Sequence, residues 1–98
     1  MGVRDDYDFS VLVNEAERMV ADELERNLKQ RADPSICVCQ DCVLDMAAFA
    51  LNAVRPAYRV SLLGTIYAKS MDDSDYSMEI RAAVDAAISK VNANPAHD

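Results

Sequence analysis

The chain has 98 residues, 17 acids against 10 bases, and a formal net charge of −7. That length suits one domain, and an acidic chain of this size lacks the basic face that coating a nucleic-acid polymer or a charged membrane surface requires. Apolar residues make up 51% of it. No stretch reaches the ~18–20 apolar residues of a membrane span. The opening MGVRDDYDFS is polar and acidic, unlike a secretory leader. The expectation is a cytoplasmic protein with no nucleic-acid polymer and no membrane as partner. Two glycines leave little material for phosphate-cradling loops, and the one histidine is His97. No nucleophile–base pair is visible, so an enzyme is not expected.

The charge is uneven. Residues 1–33 carry −4, residues 34–70 carry +1 and residues 71–98 carry −4. The middle third is where a small anion would be tolerated, and it holds all three cysteines.

Residues 1–13 read as a flexible leader before a single helical domain over 14–94, with a tail over 95–98. Asn14 can cap a helix, Glu17 stands where a capping box needs it, and acids fill the first turn. Ala16, Met19, Val20, Leu24 and Leu28 then recur at helical spacing, and Arg26, Lys29 and Arg31 suit the C-terminal dipole. The pattern predicts a helix over 15–31, stopped by Asp33-Pro34. Ser35 to Gln40 forms a loop or knuckle. A second helix follows over about 41–54. Eleven of the 13 residues from Cys42 to Val54 are apolar, which predicts a central helix buried nearly all round. A short chain has few elements to surround such a helix, so a homodimer is expected. Pro56 closes it.

Residues 57–70 are ambiguous. Ser61 can cap a short helix carrying Leu62, Leu63, Ile66 and Tyr67, which is narrowly preferred, while the β-branched and aromatic content allows a strand. MDDSD (71–75) is an acidic loop. Tyr76, Ile80, Ala83, Val84, Ala87, Ile88 and Val91 mark an amphipathic last helix. The fold class is therefore all-α, a compact domain of three to four helices with a cysteine knuckle between the first two.

Cys37, Cys39 and Cys42 form C-x-C-x2-C. Three thiolates within six residues suit a soft cation such as zinc. A closed site needs a fourth ligand, and the candidates are His97, Asp33, Asp41 or a group from a second chain. The alternative is three small thiols packing the start of helix two. The residues leave these two evenly matched. No base flanks the cluster, so nothing there predicts an acidified thiol.

Asp41, Asp45 and Asn52 draw a polar line along helix two, as ligand contacts or simply as a solvent edge. Arg55-Pro56-Ala57-Tyr58-Arg59 sets two guanidiniums and a phenol on a proline-stiffened turn. Arginine grips phosphate bidentately and stacks on bases, Tyr58 and Tyr67 can stack too, and Lys69 adds a charge. The residues by themselves favour the plainer outcome, ion pairs from Arg55 and Arg59 to acids of the first or last helix.

The stretch CVCQDCVLDMAAFALNAVRPAY, Cys37 to Tyr58, resembles the bacterial late-competence ComFB family. The pattern is the knuckle, then Asp45, Ala48, Leu51 and Asn52, then Pro56 and Tyr58. LVNEAERMVADEL upstream and TIYAK downstream look similar too. The resemblance implies a small helical homodimer with zinc on Cys37, Cys39 and Cys42. Some relatives add a further cysteine, which this chain lacks. Longer relatives are cyclic-dinucleotide receptors. This implies a non-enzymatic signalling module that binds c-di-GMP or c-di-AMP and relays to an unknown protein partner. Asn52, Arg55, Tyr58, Arg59, Tyr67 and Lys69 are the binding residues expected on chemical grounds. The alternative is a structural zinc-binding protein–protein adaptor linked to competence or motility, with no nucleotide ligand.

Overall fold

A computed structural model describes residues 2–60 and 74–95. Along the chain, a short helix α1 (Val3–Asp6) and a 3-10 turn (Phe9–Val11) precede strand β1 (Val13–Asn14). Then come α2 (Glu15–Arg31), α3 (Gln40–Ala53), β2 (Tyr58–Arg59) and α4 (Ser74–Ala93). The architecture is helical, as the periodicity predicts, with one small addition. β1 and β2 pair antiparallel, Val13 with Arg59 and Asn14 with Tyr58.

Helix α2 spans the predicted 15–31. Asn14 caps it by accepting the Ala16 N–H at 3.1 Å. Its end is set by Ala32 in the left-handed conformation (φ 45°), one residue before the predicted Asp33-Pro34 stop. Arg18 with Glu15, Lys29 with Glu25 and Arg26 with Glu23 run along its outer face. Of these only Lys29 with Glu25 is exposed on both sides, and such an exposed i,i+4 pair adds only about 0.2–0.5 kcal/mol.

The core is one cluster. Ala16, Val20 and Leu24 of α2 meet Cys42, Met46 and Ala50 of α3. Tyr76, Ile80, Ala83, Val84, Ala87, Ile88 and Val91 of α4 join it, as their spacing predicts, together with Ile36, Val54 and Ala57 from the connecting segments. Helix α4 packs more extensively on α3 than any other pair of elements does.

Helix α3 departs from expectation. It is not enclosed on all sides within the chain. Cys42, Met46 and Ala50 are buried, whereas Leu44 is 57% and Phe49 39% exposed. Two neighbouring helices cover about half a cylinder, so a helix that is apolar all round keeps an apolar face outside.

The N-terminal segment also differs from a detached leader. Val13 is hydrogen-bonded into the sheet, while Tyr7, Phe9, Val11 and Leu12 remain exposed. The helix preferred from Ser61 onward lies outside the described residues. Tyr58 and Arg59 just before it form a strand, because Ala57 is drawn onto the start of α2. Its carbonyl accepts the Glu15 N–H at 2.8 Å, and its N–H donates to Asn14 Oδ1 at 2.8 Å. No helix among the described residues is long and apolar enough to cross a membrane.

Candidate metal centre and the arginine turn

The knuckle is built by the start of α3. Ile36 is buried and anchors the loop to the core. Cys39 then takes the N-cap position, and its sulfur accepts the Cys42 N–H at 3.5 Å. One helical turn separates Cys39 from Cys42, which brings both sulfurs to the same end of α3. Cys37 approaches from the loop. The three Sγ atoms all lie within 4.8 Å of one another. Burial is graded: Cys42 buried, Cys37 half-buried, Cys39 exposed.

The Cys37 thiol is held below its ordinary value. The Cys39 backbone N–H is the main cause, followed by the Cys39 side chain, with Cys42 contributing less. This corrects the expectation that nothing in the knuckle acidifies a thiol. The sequence search was for charged neighbours, whereas the donors are the knuckle's own backbone and thiols.

Zinc–sulfur bonds of about 2.3 Å place tetrahedral sulfur pairs about 3.8 Å apart. Sulfurs within 4.8 Å reach that spacing by small side-chain rotations. The donor set fits three of the four positions of a zinc site. Among the described residues, no carboxylate joins the group. Asp33, one candidate for the fourth place, instead accepts the Ser35 N–H at 2.9 Å and its hydroxyl at 2.8 Å.

The second predicted constellation is the turn after α3. Its two arginines sit on carboxylates, as the plainer sequence argument anticipated. Arg59 Nε donates to Glu15 Oε1 at 2.5 Å. Arg55 Nε donates to Glu79 Oε1 at 2.9 Å, and its backbone N–H donates to Oε2 at 2.8 Å. The Arg55 guanidinium also lies 5.2 Å over the Tyr76 ring. The Tyr76 hydroxyl donates to the Arg55 carbonyl at 2.6 Å. The turn is thus fastened to α2 through Asn14 and Glu15, and to α4 through Tyr76 and Glu79. Sequence reasoning gave those four residues no site role. Their signal was faint, since acids are common on both helices and only one on each meets an arginine of the turn.

Tyr58 stands apart, 61% exposed. Adjacent strand residues point to opposite faces, so Arg59 turns inward to Glu15 and Tyr58 outward. Asn52 is exposed on α3 together with Asp41 and Asp45, as a polar line. Tyr67 and Lys69 lie outside the described residues, as does His97.

The family model for the late competence development protein ComFB matches residues 13–95. This chain belongs to the ComFB family. A solved structure of the late competence protein ComFB from Bacillus subtilis shares its fold, with a TM-score of 0.70 and 24% identity. The alignment covers 87% of this chain and 92% of that one. No curated protein sequence matches this chain. The ComFB match begins at Val13, the first residue of β1, so the family domain includes the strand that ties α2 to the arginine turn.

Glu15 links two arginines in this ComFB domain. Its carboxyl is held below its ordinary value of 4.5, by Arg18 first and then Arg59. A depressed carboxyl pKa contributes stability above the unfolded value and loses it as pH falls through the folded value. The expected result is that Glu15→Gln is less stable than the native chain at pH 7, with the gap closing below pH about 4. Urea unfolding midpoints at both pH values measure this. A gap that stays constant with pH would refute it.

Proposed function

We propose that this ComFB-family chain is a non-enzymatic, cytoplasmic regulatory module: a homodimer whose knuckle holds zinc and whose surface receives a protein partner. The observation that carries the metal reading is the convergence of three sulfurs within 4.8 Å at one end of α3. Zinc would cross-link the loop after α2 to the first turn of α3, and Cys37, Cys39 and Cys42 would hold it. A small domain gains stability from such a staple. Native mass spectrometry of the purified protein should show one zinc per chain. A metal-free protein that takes up no added zinc would overturn the metal reading.

Dimerisation is supported by the uncovered face of α3. Leu44, Ala48 and Leu51 follow i, i+4, i+7 spacing, with Leu44 and Ala48 exposed and Leu51 half-buried. That stripe is the shape a second copy of the same helix can match across a two-fold axis. Leu44→Glu is expected to convert the dimer to monomer in light scattering with little loss of fold. A monomeric native chain at micromolar concentration would contradict the dimer.

A second reading takes a cyclic dinucleotide as ligand, and Tyr58 favours it. The phenol ring is largely exposed, on the same short turn as Arg55 and Arg59 in sequence. A purine stacked on it would bring phosphates toward Arg55, whose side chain is 61% exposed even while paired with Glu79. Calorimetry with c-di-GMP and c-di-AMP is expected to show heat with one of them, lost in Tyr58→Ala. That variant is cleaner than a change at Arg59, which also breaks the Glu15 pair. No heat with either nucleotide would sink this reading and leave the zinc adaptor.

A further inference from the structure

We infer that the groove between α2 and α4 is the surface that receives the protein partner. Its occupant is a peptide segment in which a carboxylate stands beside an apolar side chain. This rests on the reading above that the chain binds a protein. Helices α2 and α4 pack on each other, and each packs on α3. Of the grooves between three mutually packed helices, the one between α2 and α4 faces away from α3. It therefore stays open when two copies meet through α3. Its volume is about 240 Å³. Small-molecule pockets are larger, at about 300–1,000 Å³. A groove of this size suits one or two side chains of a partner.

The lining sets the chemistry of that occupant. Met19, half-buried, and Ile80, buried, supply the apolar part. A methionine adapts its shape to whatever apolar group it meets. Three arginines (Arg18, Arg26 and Arg81) and two acids (Asp22 and Glu23) supply the rest, a surplus of one positive charge in a chain of −7. Both acids are engaged. Glu23 accepts from Arg26 and, at 2.7 Å, from Asn27 Nδ2. Asp22 accepts from Arg18 Nη1 at 3.4 Å. Arg81 is exposed and has no ion-pair partner among the described residues. Asp85, one turn further along α4, is held by Arg31 instead. A carboxylate takes a guanidinium bidentately and matches a surplus of one charge. A phosphate dianion exceeds that surplus and meets the exposed Asp22. Arginine and methionine are enriched at protein interfaces, and arginine among the residues that carry their binding energy.

Selection of random short peptides displayed on phage against the immobilised full chain provides the test. Enriched peptides are expected to carry Asp or Glu beside Leu, Ile, Met or Phe. One of them, synthesised and added to the nitrogen-15-labelled chain, should shift the amide resonances of Met19, Asp22, Ile80 and Arg81. Arg81→Glu should weaken that peptide about tenfold or more, the usual worth of one hydrogen bond to a charged group. A peptide with Lys in place of its acid should bind Arg81→Glu better than it binds the native chain, which shows that the variant is folded. Enriched peptides that lack acids, that shift resonances elsewhere, or that bind Arg81→Glu unchanged would overturn the inference and leave the partner reading standing. Shifts of the same resonances by c-di-GMP or c-di-AMP, with none from the peptide, would overturn it in favour of the nucleotide. Enrichment of no peptide at all would overturn both the groove and the partner reading.

Discussion

Cys42→Ser is expected to lose zinc and to destabilise even the metal-free domain, whereas Cys39→Ser should lose zinc alone. The contrast follows from position. Cys42 is 1% exposed and packs in the core with Met46 and Ile36. A serine hydroxyl there exchanges a soft apolar sulfur for a polar group, at a cost of about 1–3 kcal/mol. Cys39 is exposed and caps α3 through its sulfur. Serine is a favoured N-cap residue, so the cap survives the change. Both variants remove one of the three thiolates. Metal content by native mass spectrometry and urea unfolding in chelator read the two effects separately. Unchanged zinc in Cys39→Ser would overturn the three-thiolate site. Equal metal-free stability of the two variants would show that the Cys42 sulfur has no packing role.

Met46→Ala is expected to cost about 2–5 kcal/mol, the usual range for truncating a large core side chain. Met46 is fully buried in the middle of α3. It sits one turn from Cys42 and one turn from Ala50, on the stripe facing α2 and α4. A domain of this size has a total stability of about 5–15 kcal/mol, so the loss takes a large share. Leu44→Ala on the opposite face should change the stability of the monomer by no more than about 0.5 kcal/mol. Urea midpoints of both variants, taken below the dimerisation concentration, check this. A loss at Leu44 as large as at Met46 would mean that α3 is enclosed within one chain after all.

The helices were legible because their signals are local. The caps and apolar spacing around Asn14 to Arg31 and Tyr76 to Val91 are properties of a dozen neighbouring residues, and both helices formed there, although the last begins at Ser74, within the stretch read as an acidic loop. The knuckle was legible for the same reason. C-x-C-x2-C followed by a helix start brings three sulfurs together with no help from distant residues.

Other features depended on what each element meets. The composition of α3 showed that it is apolar all round. Which face would remain uncovered depended on α2 and α4 both packing against Cys42, Met46 and Ala50. Residues 13–14 and 58–59 are two-residue strands, too short to carry a period of their own. They pair because Asn14, 43 positions away in sequence, and Glu15 beside it hold Ala57. Arg55 and Arg59 could not be assigned to particular acids from sequence, where nine acids precede residue 34 and six follow residue 70. By itself the sequence determined the helices, the thiol cluster and the ComFB resemblance, because these are written in short-range spacing. Only the tertiary structure decided that Glu15 and Glu79 hold the two arginines and that Tyr58 is left facing outward. Those outcomes depend on helix packing directions, and no window of neighbouring residues encodes them.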